Sequence, residues 1–196
     1  MLLDKRMFFI RERVAFLRLV DTYDILDPET KQQIGIAREE PALWLKLLRL
    51  LLKKAMLPTK VCVYEADGTS LVFTIVKSFT FFRSRVSVFD ARGGYVGYFK
   101  NKIFSWGGGF WVFNAKDEQV AEIKGDWKGW NFRFIAAGEK ELGRVTKKWA
   151  GIGKELFTTA DNYIISIDEV VQGQPAVCLL LLAAGLAVDI IYKERG

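Results

Sequence analysis

Thirteen consecutive residues without a charge, Ala176 to Val188, lie inside the closing stretch PAVCLLLLAAGLAVDIIYKERG. A run so apolar must end up in a bilayer or in a protein interior. Crossing a hydrocarbon core takes about 20 apolar residues, whereas a run of about 10–14 marks a buried helix. Asp189 interrupts the run, Gly173 and Pro175 mark its entry, and Lys193 and Arg195 suit the negative end of a helix dipole. The run is apolar on every side, as befits a helix enclosed on every side. The expectation is a central helix over about 175–192. The rest of the chain must then supply a wall around it.

A repeated pattern supplies that wall. Five segments share one grammar: YDILDPETKQQIGIAR from Tyr23, VCVYEADGTSLVFTI from Val61, VSVFDARGGYVGYFK from Val86, FWVFNAKDEQVAEIK from Phe110 and FRFIAAGEKELGRVT from Phe132. Each opens with an apolar or alternating run, passes through a short polar turn and closes with a second alternating run. Alternation places every second side chain on one face of a strand. Turns rich in Asp, Asn and Gly provide the tight or left-handed backbone that a reversal needs. Five hairpins give ten strands. FFIRERVAFL (Phe8–Leu17) adds one before them and NYIISID (Asn162–Asp168) one after, for about twelve antiparallel strands. Closing such a sheet removes its edges, and a barrel of that size has a lumen too wide for its own side chains to fill. The apolar run fills it, as a central helix does in eleven-stranded cans. The expected fold is therefore all-β with one central helix: a single domain over 1–196, a closed antiparallel barrel around a buried C-terminal α-helix, with a helical insertion at 40–58.

Composition narrows the function. The chain has no histidine, which removes every Ser-His-Asp or Cys-His relay and every His-containing zinc site. Its two cysteines, Cys62 and Cys178, fall in a strand pattern and in the apolar run, the pattern of buried thiols in a reducing compartment. Asp4, Lys5, Arg6 and Arg11 break up the N-terminal apolar residues, so no secretory signal is expected and the expected location is cytoplasmic, peripheral at a membrane at most. The formal charge of +6 suits an anionic partner and also suits plain solubility. No nucleophile–base pair stands out, and SWGGGFW (Ser105–Trp111) lacks the Gly-Lys-Ser/Thr of a phosphate-binding loop. No enzyme activity is expected.

One segment interrupts the hairpin rhythm. EPALWLKLLRLLLKKAMLP (Glu40–Pro58) opens with a proline suited to a first helical turn and ends at another. Lys46, Arg49 and Lys53 fall at helical spacing on one stripe, Lys54 widens it, and Trp44 stands near one end. A basic, Leu-rich helix with a terminal Trp is the pattern of an interfacial membrane helix. The same pattern also fits a lid on one barrel mouth, or a helix that docks in a partner protein's groove. Arg83 and Arg85, and Lys147 and Lys148, set cations beside aromatics. Arg would hold phosphate bidentately and Lys as a point charge. Strand alternation alone accounts for these positions by sending bases outward and aromatics inward. A nucleic-acid partner is not expected, and the oligomeric state is left open.

VFDARGGYVG (Val88–Gly97), GDWKGWNFRF (Gly125–Phe134), VTKKWAG (Val145–Gly151) and FTTADNYIISID (Phe157–Asp168), followed by the apolar helix, occur in an order that resembles the Tubby C-terminal-like superfamily. Within it, the chain resembles the phospholipid scramblases and the LURP-one-related proteins. The resemblance implies a closed barrel around a hydrophobic helix. Tubby domains bind phosphoinositides, and scramblases are associated with calcium-dependent lipid movement across bilayers. Scramblases carry an acidic segment, Asp-Ala-Asp-Asn-Phe, just before the helix. Here the matching residues are Thr159, Ala160, Asp161, Asn162 and Tyr163, so Thr159 replaces the first acid. Asp161, Asp168 and Glu169 remain as oxygen ligands for calcium, a thin set for an ion that takes six to eight. The simpler role of Asp161-Asn162 is to turn the chain into the last strand. No other cofactor is expected. The expected function is a non-enzymatic binding module for anionic phospholipid or phosphoinositide surfaces. The alternatives are scramblase-like transbilayer lipid movement and a soluble protein-interaction barrel.

Overall fold

The computed structural model describes residues 1–13, 20–42, 44–45, 57–78, 85–101, 109–126, 130–136, 138–147, 162–171 and 173–193. A 3-10 turn at Leu2–Asp4 leads into twelve strands: β1 (Met7–Glu12), β2 (Thr22–Leu26), β3 (Gln33–Glu39), β4 (Thr59–Glu65), β5 (Leu71–Lys77), β6 (Arg85–Asp90), β7 (Tyr95–Asn101), β8 (Gly109–Asn114), β9 (Gln119–Asp126), β10 (Asn131–Ile135), β11 (Glu141–Thr146) and β12 (Tyr163–Ile167). Each strand pairs antiparallel with its sequence neighbours, and β1 closes the sheet by pairing with both β2 and β12. The result is the expected twelve-stranded barrel with no free edge. A second 3-10 turn, Glu169–Val171, leads to helix α1 (Pro175–Lys193).

All five predicted hairpin turns form, and four use the same device. Asp27, Asp67, Asp90 and Asn114 each stand at the end of a strand and turn a side-chain oxygen back onto the backbone. Asp27 accepts from the N–H groups of Glu29 and Thr30 at 3.0 and 3.1 Å, and Asp67 from Thr69 and Ser70 at 2.8 and 2.9 Å. Asp90 accepts from Arg92 and Gly94 at 2.8 and 2.7 Å, and Asn114 from Lys116 and Glu118 at 2.9 and 3.0 Å. A short polar side chain closing on the N–H two residues ahead is what makes Asp and Asn turn residues. Each of these turns also holds one residue in the left-handed region: Lys31, Gly68, Gly93 or Asp117.

Asp27 is tied down further by Lys5, whose ammonium lies 2.8 Å from its Oδ2. That bond, with the N–H of Thr30, pulls the Asp27 carboxyl down to about 2. A carboxyl lowered on folding stabilises the fold above its unfolded value of about 3.9, and the contribution disappears as pH falls through the folded value. Asp27→Asn is therefore expected to unfold at lower urea concentration than the parent at pH 7, with the gap closing between about pH 4 and pH 2. A gap that stays constant down to pH 2 would contradict this account.

Helix α1 occupies the barrel. Leu180 to Ala184 and Leu186 to Val188 are each no more than 2 % exposed, and Gly185 between them is buried. The helix touches β5, β6, β7, β8, β11 and β12, whose inward rows supply residues such as Phe73, Val88, Phe99, Val112, Val145 and Ile165. At Gly185 the helix backbone comes close to β12: a Cβ there would lie 2.6 Å from Cδ1 of Ile165. Among the described residues no helix is long and apolar enough to cross a membrane. Both cysteines are free thiols: Cys62 is buried on β4, and Cys178 is half-buried on the first turns of α1.

Candidate functional site

Strand polarity divides every connection between two barrel ends. The five short turns and the entry to α1 lie at one end, the turn end. The chain passes from β1 to β2, β3 to β4, β5 to β6, β7 to β8, β9 to β10 and β11 to β12 at the other, the loop end, where α1 also finishes. Residues 14–19, 46–56, 79–84, 102–108, 127–129 and 148–161 belong to these six connections and lie outside the described residues. Lys46, Arg49, Lys53, Lys54, Arg83, Lys148 and Asp161 are therefore among the undescribed residues.

Three of the sequence-derived contacts are described, and all three stand at the loop end. Trp44 is 58 % exposed, while its helical neighbour Leu45 is buried and donates its N–H to the carbonyl of Ala42 at 2.9 Å. Arg85, on the outer face of β6, places its Cζ 3.8 Å from the ring centre of Tyr98 and donates from Nη2 to the Tyr95 hydroxyl at 2.8 Å. Lys147 holds its ammonium 4.1 Å from the ring centre of Trp130, and that ring packs against the buried Tyr163 and Phe132. Lys147 thus caps the interior, whereas Arg85 faces outward. Alternation was expected to keep aromatics inside, but the outer face of β6–β8 is aromatic as well: Tyr98 stacks on Phe113 at 4.7 Å, and Phe89 tilts against Tyr95 at 5.7 Å.

Asp168 and Glu169 stand at the turn end, past β12. Asp168 accepts the N–H of Val170 at 2.9 Å, and Glu169 pairs with Arg6 at 2.8 Å. The five residues of β12 separate them from the chain that enters it at Asn162, about 17 Å of extended backbone. Among the described residues, no group of three or more His, Cys, Asp or Glu side chains is placed to hold a metal ion.

Sequence reasoning missed the polar lining inside the loop end. Glu12, Tyr23, Glu39, Thr59, Lys77, Tyr163 and Asp189 are all buried there. They occupy inward positions in register with apolar neighbours, Ile10 with Tyr163 and Glu39 with Val61 for example. The phenols of Tyr23 and Tyr163 stay neutral, because burial and then the Asp189 charge push both well above the ordinary value for tyrosine. The signal was available: in IRER and FTIVK, parity with Ile10 and Ile75 puts Glu12 and Lys77 inside.

A family model described as Scramblase matches residues 22–195, from β2 through α1. The chain belongs to the scramblase family. A search of curated proteins and a search of solved structures each found no match. In this scramblase-family chain, the model's span takes in all five hairpins, the helix and every cation proposed above. Membership also accounts for a barrel whose last element is an enclosed apolar helix.

Proposed function

We propose that this scramblase-family barrel is a non-enzymatic binding module that docks its loop end on anionic phospholipid or phosphoinositide surfaces as a peripheral protein. Exposed Trp44 carries the reading: an indole in solvent beside a buried Leu45, at the head of a segment whose next cations are Lys46, Arg49, Lys53 and Lys54. Indole prefers the headgroup region, and each Lys or Arg near an anionic surface adds about 1 kcal/mol. Arg85 and Lys147 stand at the same end, and Arg83 and Lys148 adjoin them in sequence. Calcium is not needed for this mode of binding.

Reversing Lys46, Arg49 and Lys53 to Glu together is expected to lower co-sedimentation with phosphatidylserine vesicles by about 100-fold or more, three cations being worth about 3 kcal/mol. Pelleting equal to that of the parent chain would overturn the assignment. Calcium-dependent pelleting would restore a role for Asp161. Transbilayer lipid movement would require α1 to leave the barrel, which its burial from Leu179 to Asp189 opposes. Failure of the parent chain to pellet with any vesicle would turn the reading toward a protein partner.

A further inference from the structure

Asp189 interrupts the apolar run of α1, yet it is only 1 % exposed. A carboxylate enclosed in the barrel needs polar company, and three neighbouring strands supply it at the loop end: Tyr163 on β12, Glu12 on β1 and Tyr23 on β2. Glu12 stands directly opposite Tyr23, and Tyr163 stands opposite Ile10, two residues before Glu12 on the same inward row. The charge of Asp189 reaches both phenols, and that of Glu12 reaches Tyr163. Both tyrosines are fully buried, and neither hydroxyl has a hydrogen-bond partner. The Asp189 carboxylate lies beside the Tyr23 hydroxyl, but the two do not meet in hydrogen-bond geometry. A buried O–H with no acceptor is costly, and phenylalanine would fill the same space without that cost. Two hydroxyl donors that face a carboxylate across a gap are the complement of a water molecule, which accepts two hydrogen bonds and donates two. A metal ion fits the set less well. It takes several oxygen ligands, and the described acids include no group of three placed to hold one.

We propose that the loop end of the barrel contains an internal water site, in which the hydroxyls of Tyr23 and Tyr163 donate to a bound water and the carboxylate of Asp189 accepts from it. The water joins the last turns of α1 to β2 and β12, so Asp189 serves to fasten the far end of the helix to the wall. The site is independent of the lipid-surface reading.

Tyr163→Phe tests it, because the substitution keeps the ring and removes only the donor. Urea unfolding of the full chain is expected to show a folding equilibrium constant about fivefold lower than that of the parent, one hydrogen bond's worth, and Tyr23→Phe should behave alike. Oxygen-17 relaxation dispersion, which counts long-lived internal waters, supplies the second readout. The chain carrying both Tyr23→Phe and Tyr163→Phe should hold at least one fewer such water than the parent; if the pair together fails to fold, Tyr163→Phe alone is measured in its place. A Tyr163→Phe chain as stable as the parent, or more stable, would mean that the hydroxyl is bound to nothing, and overturns the proposal. An unchanged water count overturns it too, even where stability falls, because the phenols would then reach the carboxylates directly. A parent chain that gains stability from added calcium or potassium, where Tyr163→Phe does not, would put a cation in this position and exclude the water site.

Discussion

Leu181→Asp is expected to abolish the cooperative unfolding transition and the near-ultraviolet circular dichroism of the purified protein. Leu181 is at mid-helix and fully buried among wall residues. A carboxylate there must either ionise in an apolar interior or take up a proton, and each route costs several kcal/mol. A domain of this size has about 5–15 kcal/mol in total, so one such substitution removes most of it. Leu181→Ala is the graded control: it keeps the interior apolar, costs about 2–5 kcal/mol and should leave a folded protein that melts earlier. The pair also separates two roles for α1. If the helix worked as a membrane anchor outside the barrel, the aspartate variant would stay folded in solution and lose only its membrane association. A sharp melt in the aspartate variant, close to that of the parent, would therefore refute the enclosed-helix account.

Gly185→Leu is the second large effect, and its sign comes from two opposed terms. Within a helix, glycine is worse than alanine by about 1 kcal/mol and worse than leucine by nearly as much, so propensity alone predicts that any replacement stabilises. Packing opposes this. A Cβ at position 185 would lie 2.6 Å from Cδ1, 2.9 Å from Cγ1 and 3.2 Å from Cγ2 of Ile165. Ile165 is itself fully buried, and its branched Cβ leaves little rotamer freedom with which to withdraw. Forcing atoms into a filled core costs about 1–3 kcal/mol per site, and a leucine must displace far more than one methyl. A net loss of about 3 kcal/mol is expected for Gly185→Leu, and a small net loss for Gly185→Ala. Adding Ile165→Ala to Gly185→Ala should recover the stability lost at the helix, a coupling that a double-mutant cycle in urea would measure. A higher melting temperature in Gly185→Ala alone would mean that the helix stands further from β12 than described.

The hairpins were legible because their signals are local. Asp27, Asp67, Asp90 and Asn114 bind N–H groups two to four residues away, and the alternation around them needs no knowledge of the rest of the chain. The central helix was legible for a different reason: a thirteen-residue uncharged run is too short to cross a bilayer and too apolar to face water, so only an interior remains. The candidate site was less legible. Trp44 could be named from sequence, but its 58 % exposure, with Leu45 buried beside it, depends on what packs against each. Phe89, one of the aromatics of Phe81–Phe89 expected inside, stands outside against Tyr95, because alternation from the buried Val88 turns it outward, as alternation from Phe99 and Val112 turns Tyr98 and Phe113.

By itself the sequence determined the strand number, the five turns and the enclosure of the last helix, because each follows from contacts within a few residues or from the cost of leaving an apolar run in water. Tertiary structure alone decided which connections share an end, and that Asp168 and Glu169 stand at the opposite end from Trp44. Those facts depend on the polarity and register of strands paired around a closed ring, where a one-residue slip turns every side chain to the other face and no local signal records the choice.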